Sequence, residues 1–128
     1  MKMNKTVIAT TKAPGALGPY SQGIMTSDLI FTSGQIPLNP ADGSFINDDI
    51  ATATKQVLEN VKAVLAKAGV GMENVVKTTV LLADIDDFAT MNEVYGTYFT
   101  ENPPARSCFQ VAKLPKGALV EIEAIAVK

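Results

Sequence analysis

Two short segments near the end of the chain carry side chains suited to work on a small acid. The run Arg106–Ser107–Cys108–Phe109–Gln110 reads as a strand, which puts Arg106, Cys108 and Gln110 on one face. A guanidinium is a planar fork that matches the two oxygens of a carboxylate, so Arg106 suits capture of a small acid. The commoner use of such an arginine is an ion pair with Glu121 or Glu123 on a neighbouring strand or at an interface, and residue statistics alone favour it. Glu121 and Glu123 themselves share one strand face, two residues apart. Like charges so close disfavour joint ionisation unless each has its own partner, so one could hold structure while the other activates water. Solvation or pairing of both is the plainer alternative.

The remaining inventory narrows the chemistry. The chain has no histidine, which excludes a Ser-His-Asp triad, a Cys-His dyad and any His-containing zinc site. Its single cysteine, Cys108, rules out a Cys₄ zinc site within one chain and has no imidazole to activate it. An inert thiol is the expectation. Acid–base work must then fall to carboxylates, Tyr, Lys, Cys or bound water. Tyr20 in Gly18–Pro19–Tyr20–Ser21–Gln22–Gly23 and Ser33 in Thr32–Ser33–Gly34–Gln35 stand at loop and strand ends, where sites are often assembled. The same residue types also serve turns and local caps.

The elements that must position these groups are legible in outline. Thr6–Thr10 is a short strand, followed by a turn-rich stretch with Pro14, Gly15, Gly18 and Pro19. Gly23–Thr26 and Leu29–Ser33 form a hairpin through Ser27 and Asp28, and Pro37 to Gly43 is a long loop. Asp48 and Asp49 offer N-caps for a helix over Ile50–Ala68, with Val57, Leu58, Val61, Val64, Leu65 and Ala68 in one apolar stripe and Gly69 as its stop. Val75–Ala83 is a strand. Asp84, Asp86 and Asp87 open a second helix whose apolar face is Phe88, Met91, Tyr95 and Phe99, and Pro103 and Pro104 end it. Arg106–Ala112 and Leu119–Val127 close the chain, read as an antiparallel pair around the Leu114–Gly117 turn. The order β-β-β-α-β-α-β-β implies an α+β fold, one mixed sheet with two helices on one face. In the last strand Val120, Ile122, Ala124 and Ala126 make an apolar face. The other face, Leu119, Glu121, Glu123, Ile125 and Val127, mixes carboxylates with large apolar groups and suits a subunit interface holding a polar pocket.

At 128 residues the chain is one domain, and 47% hydrophobic against 19% charged residues makes it globular. A net charge of −2 with no basic cluster makes nucleic acid a poor partner. No run approaches the ~20 apolar residues of a membrane span, and nothing reads as a signal peptide. With a lone cysteine, the expectation is a soluble, cytoplasmic protein without membrane partners.

Taken together, Gly18–Gly23, Thr32–Pro37, Val76–Val80, Asp87–Ala89, Pro104–Cys108 and Val120–Ala124 resemble the reactive intermediate deaminases (the Rid or YjgF group) from end to end. Arg106 matches the arginine of the archetypal subfamily. The resemblance implies a chorismate-mutase-like fold, a homotrimer with an inner barrel of sheets, and active sites in the clefts between neighbours. It further implies hydrolysis of 2-imino and 2-enamino acids, such as 2-iminopropanoate and 2-iminobutanoate, to 2-keto acids and ammonia, without metal or cofactor. Carried over, Arg106 grips the substrate carboxylate, while Tyr20, Ser33 and Gly34 line the opposite wall. Backbone groups at Cys108 contact the ligand, Phe88 is apolar wall, and Glu121 orients and deprotonates water. Where the family often has an acidic residue, this chain has Gln110. A non-catalytic trimer binding keto or amino acids is the rival reading.

Overall fold

The computed structural model describes residues 3–128. Six strands and two helices follow in the expected order: β1 (Thr6–Ile8), β2 (Gly23–Met25), β3 (Leu29–Thr32), α1 (Ile50–Lys67), β4 (Val75–Leu82), α2 (Phe88–Tyr98), β5 (Ala105–Gln110) and β6 (Val120–Val127). They build one mixed sheet in the order β1-β2-β3-β6-β4-β5, antiparallel except for the parallel β4–β5 pair.

One expectation is corrected here. β5 and β6 are not an antiparallel pair around the Leu114–Gly117 turn, because β4 lies between them. The physical reason is the crossover: α2 carries the chain over the helix face, so β5 returns parallel to β4 and takes the sheet's outer edge. β6 carries the most uniformly apolar face, with Val120, Ile122, Ala124 and Ala126 all buried, and it takes the centre against β3 and β4. That placement removes more apolar surface from water than an edge pairing could, at about 25 cal/mol per Å².

α1 forms where its periodicity places it. The Asp49 carboxylate accepts from the Thr52 N–H at 2.8 Å, and this bond holds Asp49 below the usual carboxylate range. Gly69, at φ +88°, lets the chain turn out of the helix. Val57, Leu58, Val61, Val64 and Leu65 are buried against the sheet, while Lys55, Glu59, Lys62 and Lys67 stay wet. α2 begins after a single 3₁₀ turn closed by the Asp84 side chain, which accepts from Asp86 N–H at 2.9 Å. Met91, Tyr95 and Phe99 pack it into the same core. A bond from Tyr98 Oη to Glu59 at 2.6 Å ties the two helices together. No helix among the described residues is long and apolar enough to cross a membrane.

The other face of the sheet is largely open among the described residues, with a small cluster of Ile36, Leu114 and Ala118 packed against Leu81. Val7, Ile24, Phe31 and Ile125 lie side by side across four strands, and Val7 is 59% exposed. Leu81 and Phe109 continue the apolar surface beside Glu121, with Phe109 49% exposed. This is the mixed face that alternation along β6 implies.

Candidate functional site

The first half of the site is a pocket on the open face. It encloses about 370 Å³ and is lined by the expected Tyr20, Ser33, Gly34 and Glu121, with apolar walls from residues such as Leu17 and Ile36. Glu121 projects from β6 because alternation turns it away from the buried Val120 and Ile122. Half-burial raises its carboxyl above the ordinary range, and the Glu123 carboxylate pushes further in that direction. No donor or cation among the described residues offsets this.

Gln22 shapes the loop that forms the opposite wall. Its buried amide accepts from Thr10 N–H at 2.7 Å, and its Nε2 faces the carbonyls of Thr10, Ala13 and Pro14 at 3.0, 3.2 and 2.7 Å. Ser33 Oγ donates to Ser21 C=O at 2.6 Å, fixing the loop's other end and leaving the hydroxyl's lone pairs for a ligand. Tyr20 stands between these anchors, its phenol accepting from Leu17 N–H at 3.1 Å.

Gly34 leaves room for the close approach of Glu121. A Cβ on it would stand 2.8 Å from Glu121 Cδ and closer still to Oε2. The obstructing atoms end a flexible side chain, so the strain is relieved by moving the carboxylate. Gly34→Ala should therefore fold with a near-native melting temperature while the Glu121 carboxylate swings away from its present position, a displacement that a crystal structure of the variant would check.

The second half of the site lies at the sheet's edge. Arg106 pairs with Thr78 in the β4–β5 register and points to the helix side, where three residues of α2 receive it. Nη1 donates to Asn92 Oδ1 at 2.8 Å, and the guanidinium carbon stands 4.8 Å from the Tyr95 ring centre and 5.4 Å from that of Phe88. Tyr95 is braced by a 2.7 Å hydroxyl–hydroxyl bond to Thr78. Burial raises the Tyr95 phenol, opposed by that bond and by the Arg106 charge. Burial likewise raises the Cys108 thiol and outweighs the neighbouring Arg106, so it stays protonated at neutral pH, an inert thiol as its surroundings imply. Gln110 accepts from Ile85 N–H at 2.9 Å and holds the 3₁₀ turn that leads into α2.

Within one chain these halves do not meet. Glu121 shares its face with Leu81 and Phe109, whereas Arg106 and Cys108 share the opposite face with Thr78 and Val80. The Arg106–Glu121 or Arg106–Glu123 ion pair that residue statistics favour is absent among the described residues, and Asn92, Phe88 and Tyr95 take its place. Asn92 and Gln22 are the positions that reading the sequence missed. For Asn92 a signal existed, since Phe88, Asn92 and Tyr95 follow one helical stripe.

Known proteins place this arrangement. The family model described as "Endoribonuclease L-PSP" matches residues 10–128. The human 2-iminobutanoate/2-iminopropanoate deaminase is 52% identical over 124 residues, covering 97% of this chain and 90% of its own. The Escherichia coli K12 protein of the same name is 51% identical over 129 residues, covering 98% and 99%. Among solved structures, Escherichia coli TdcF with bound serine has a TM-score of 0.93 at 47% identity, covering 96% of this chain and 98% of that one. The chain belongs to the reactive intermediate deaminase (RidA/YjgF) family.

Proposed function

We propose that the chain is an enzyme that hydrolyses 2-imino and 2-enamino acids to 2-keto acids and ammonia, in clefts between the subunits of a homotrimer. The observation that carries this is the division of the site: a guanidinium with no acidic partner among the described residues on an edge strand, and a pocket lined by the Glu121 carboxylate on the open sheet face. A neighbouring copy bringing its β5 edge to the pocket would complete the site and cover the apolar row from Val7 to Ile125. The names of the relatives support the reaction. The serine bound to TdcF supports a ligand with a carboxylate beside a nitrogen-bearing carbon.

The chemistry fits the residues. Arg106 grips the carboxylate, with Phe88 beside it as apolar wall and backbone groups at Cys108 contacting the ligand. Tyr20, Ser33 and the Gly34 backbone face it from the pocket. An enamine first tautomerises to the imine, whose protonated C=N carbon is already electrophilic. Glu121 takes a proton from water as the oxygen adds to that carbon, giving a carbinolamine. The nitrogen receives a proton and leaves as ammonia while the hydroxyl gives up its proton to water and its oxygen becomes the carbonyl. The reaction also runs slowly in plain water, so positioning and one base suffice.

The test is ammonia and keto-acid release from 2-aminoacrylate and 2-iminobutanoate generated in place by a dehydratase. Release well above the spontaneous rate, by a protein that sediments as a trimer, is the expected result. Rates equal with and without protein would overturn the enzymatic reading. They would favour a trimer that only binds keto or amino acids, the reading to which bound serine in TdcF also lends itself.

A further inference from the structure

We propose that Asn92 is the positioning residue of Arg106, holding its guanidinium through an uncharged acceptor so that the positive charge stays free for an incoming carboxylate. The inference rests on the reading of Arg106 as carboxylate anchor.

Three observations support it. Arg106 stands on an edge strand and is only partly buried, so a long side chain would otherwise sample several rotamers. Its contacts on α2 are Asn92, Phe88 and Tyr95, one hydrogen bond and two rings, and none of them carries an opposite charge. Asn is a weak helix former because its side chain competes with the backbone. Here Asn92 instead spends its oxygen on Nη1, which explains an amide inside a helix that otherwise packs apolar groups.

The alternatives show why the partner is neutral. Aspartate at this position would hold the guanidinium more firmly through a charge-assisted bond. It would also satisfy the cation internally, and a substrate carboxylate would then have to compete with it. Alanine would leave the charge free but the fork unsteady. A merely structural Asn92 ranks the variants Asn, Asp, Ala in every assay, because Asp keeps the acceptor. The positioning role predicts two opposed rankings, with thermal stability highest for Asp and carboxylate affinity lowest for Asp.

The experiment measures binding of pyruvate and 2-ketobutyrate, KM and kcat for imine hydrolysis, and melting temperature. It compares the native trimer, Asn92→Asp, Asn92→Ala, Arg106→Ala and the Asn92→Ala/Arg106→Ala double variant. We expect Asn92→Asp to melt at or above the native temperature yet bind keto acids about 10-fold or more weakly, with the loss in KM. Asn92→Ala should weaken binding about 3- to 10-fold, and should add nothing to Arg106→Ala. If Asn92→Asp binds within about two-fold of native while Arg106→Ala has lost binding, the positioning role is overturned and the anchor reading stands. If Arg106→Ala itself binds like the native protein, the anchor reading falls, and the role of Asn92 with it. Should Asn92→Asp not fold, the alanine pair decides: weakening that persists at full strength without Arg106 overturns the proposal.

Discussion

Arg106→Ala should lower kcat/KM for imine hydrolysis about 100-fold, most of it through KM, while the trimer survives with a melting temperature only a few degrees lower. The magnitude follows from what is removed. A bidentate guanidinium–carboxylate pair in a cleft is a charge-assisted contact of about 1.5–3 kcal/mol, which converts to roughly 10- to 150-fold. The carboxylate is remote from the bond changes, so the contact is similar in ground and transition states and its loss reads as KM. A smaller fall in kcat accompanies it, because a substrate held at one end only presents its C=N carbon to the water less often. The fall in stability stays modest because Arg106 is only partly buried and has no ion pair among the described residues. Its two ring contacts contribute about 0.5–1 kcal/mol each. Arg106→Lys is the finer probe: it keeps the charge but loses the fork, and should recover only part of the affinity. The measurement is steady-state kinetics with thermal melting alongside. Native kcat/KM in Arg106→Ala would remove the carboxylate anchor from the mechanism.

What the sequence showed of this molecule, and what it hid, follows from the range of the interactions concerned. α1 was legible to within a residue because its cap at Asp49, its apolar stripe and its stop at Gly69 are all local. The alternation along β6 likewise separated the buried Val120, Ile122, Ala124 and Ala126 from the face carrying Glu121. Pairing of the last two strands was not legible, since nothing within Ala105–Val127 reveals that α2 has already carried β5 to the far side of β4. The site divides in the same way. Arg106 and Glu121 stood out because charged groups on apolar strands are unusual. Placing them on one neighbouring-strand surface was the natural reading of a hairpin, and it fails with the hairpin. Gln22 and Asn92 stayed hidden because amides in loops and helices serve many purposes, and only the fold shows which acceptor or donor each one meets.

Glu121→Gln should leave keto-acid binding near native and lower kcat about 100- to 1,000-fold, the loss expected when a positioned general base is removed. The pH profile identifies the group. Burial and Glu123 raise the Glu121 carboxyl, and a base must be ionised to act. Native kcat/KM should accordingly fall on acidification through a pH above the ordinary carboxylate value of about 4.3, a limb that Gln removes. Stability should move the opposite way. A carboxyl with a raised pKa in the folded state favours folding in its protonated form. That contribution is complete below the unfolded value and is lost as pH rises through the folded one. Ionised Glu121 is thus a burden on the fold at neutral pH. The Gln variant should melt at or above the native temperature there, with the difference shrinking towards about pH 4. The two inactive variants then test the architecture together. If Arg106 and Glu121 of each cleft come from different subunits, refolding Arg106→Ala with Glu121→Gln in equal amounts creates some clefts with both native groups. For random trimers that fraction is about one quarter, so about one quarter of native activity should return. If both groups served within one chain, every site in the mixture would still carry a defect and no activity would return. The opposite faces that the β4–β5 and β4–β6 registers assign to the two residues favour recovery.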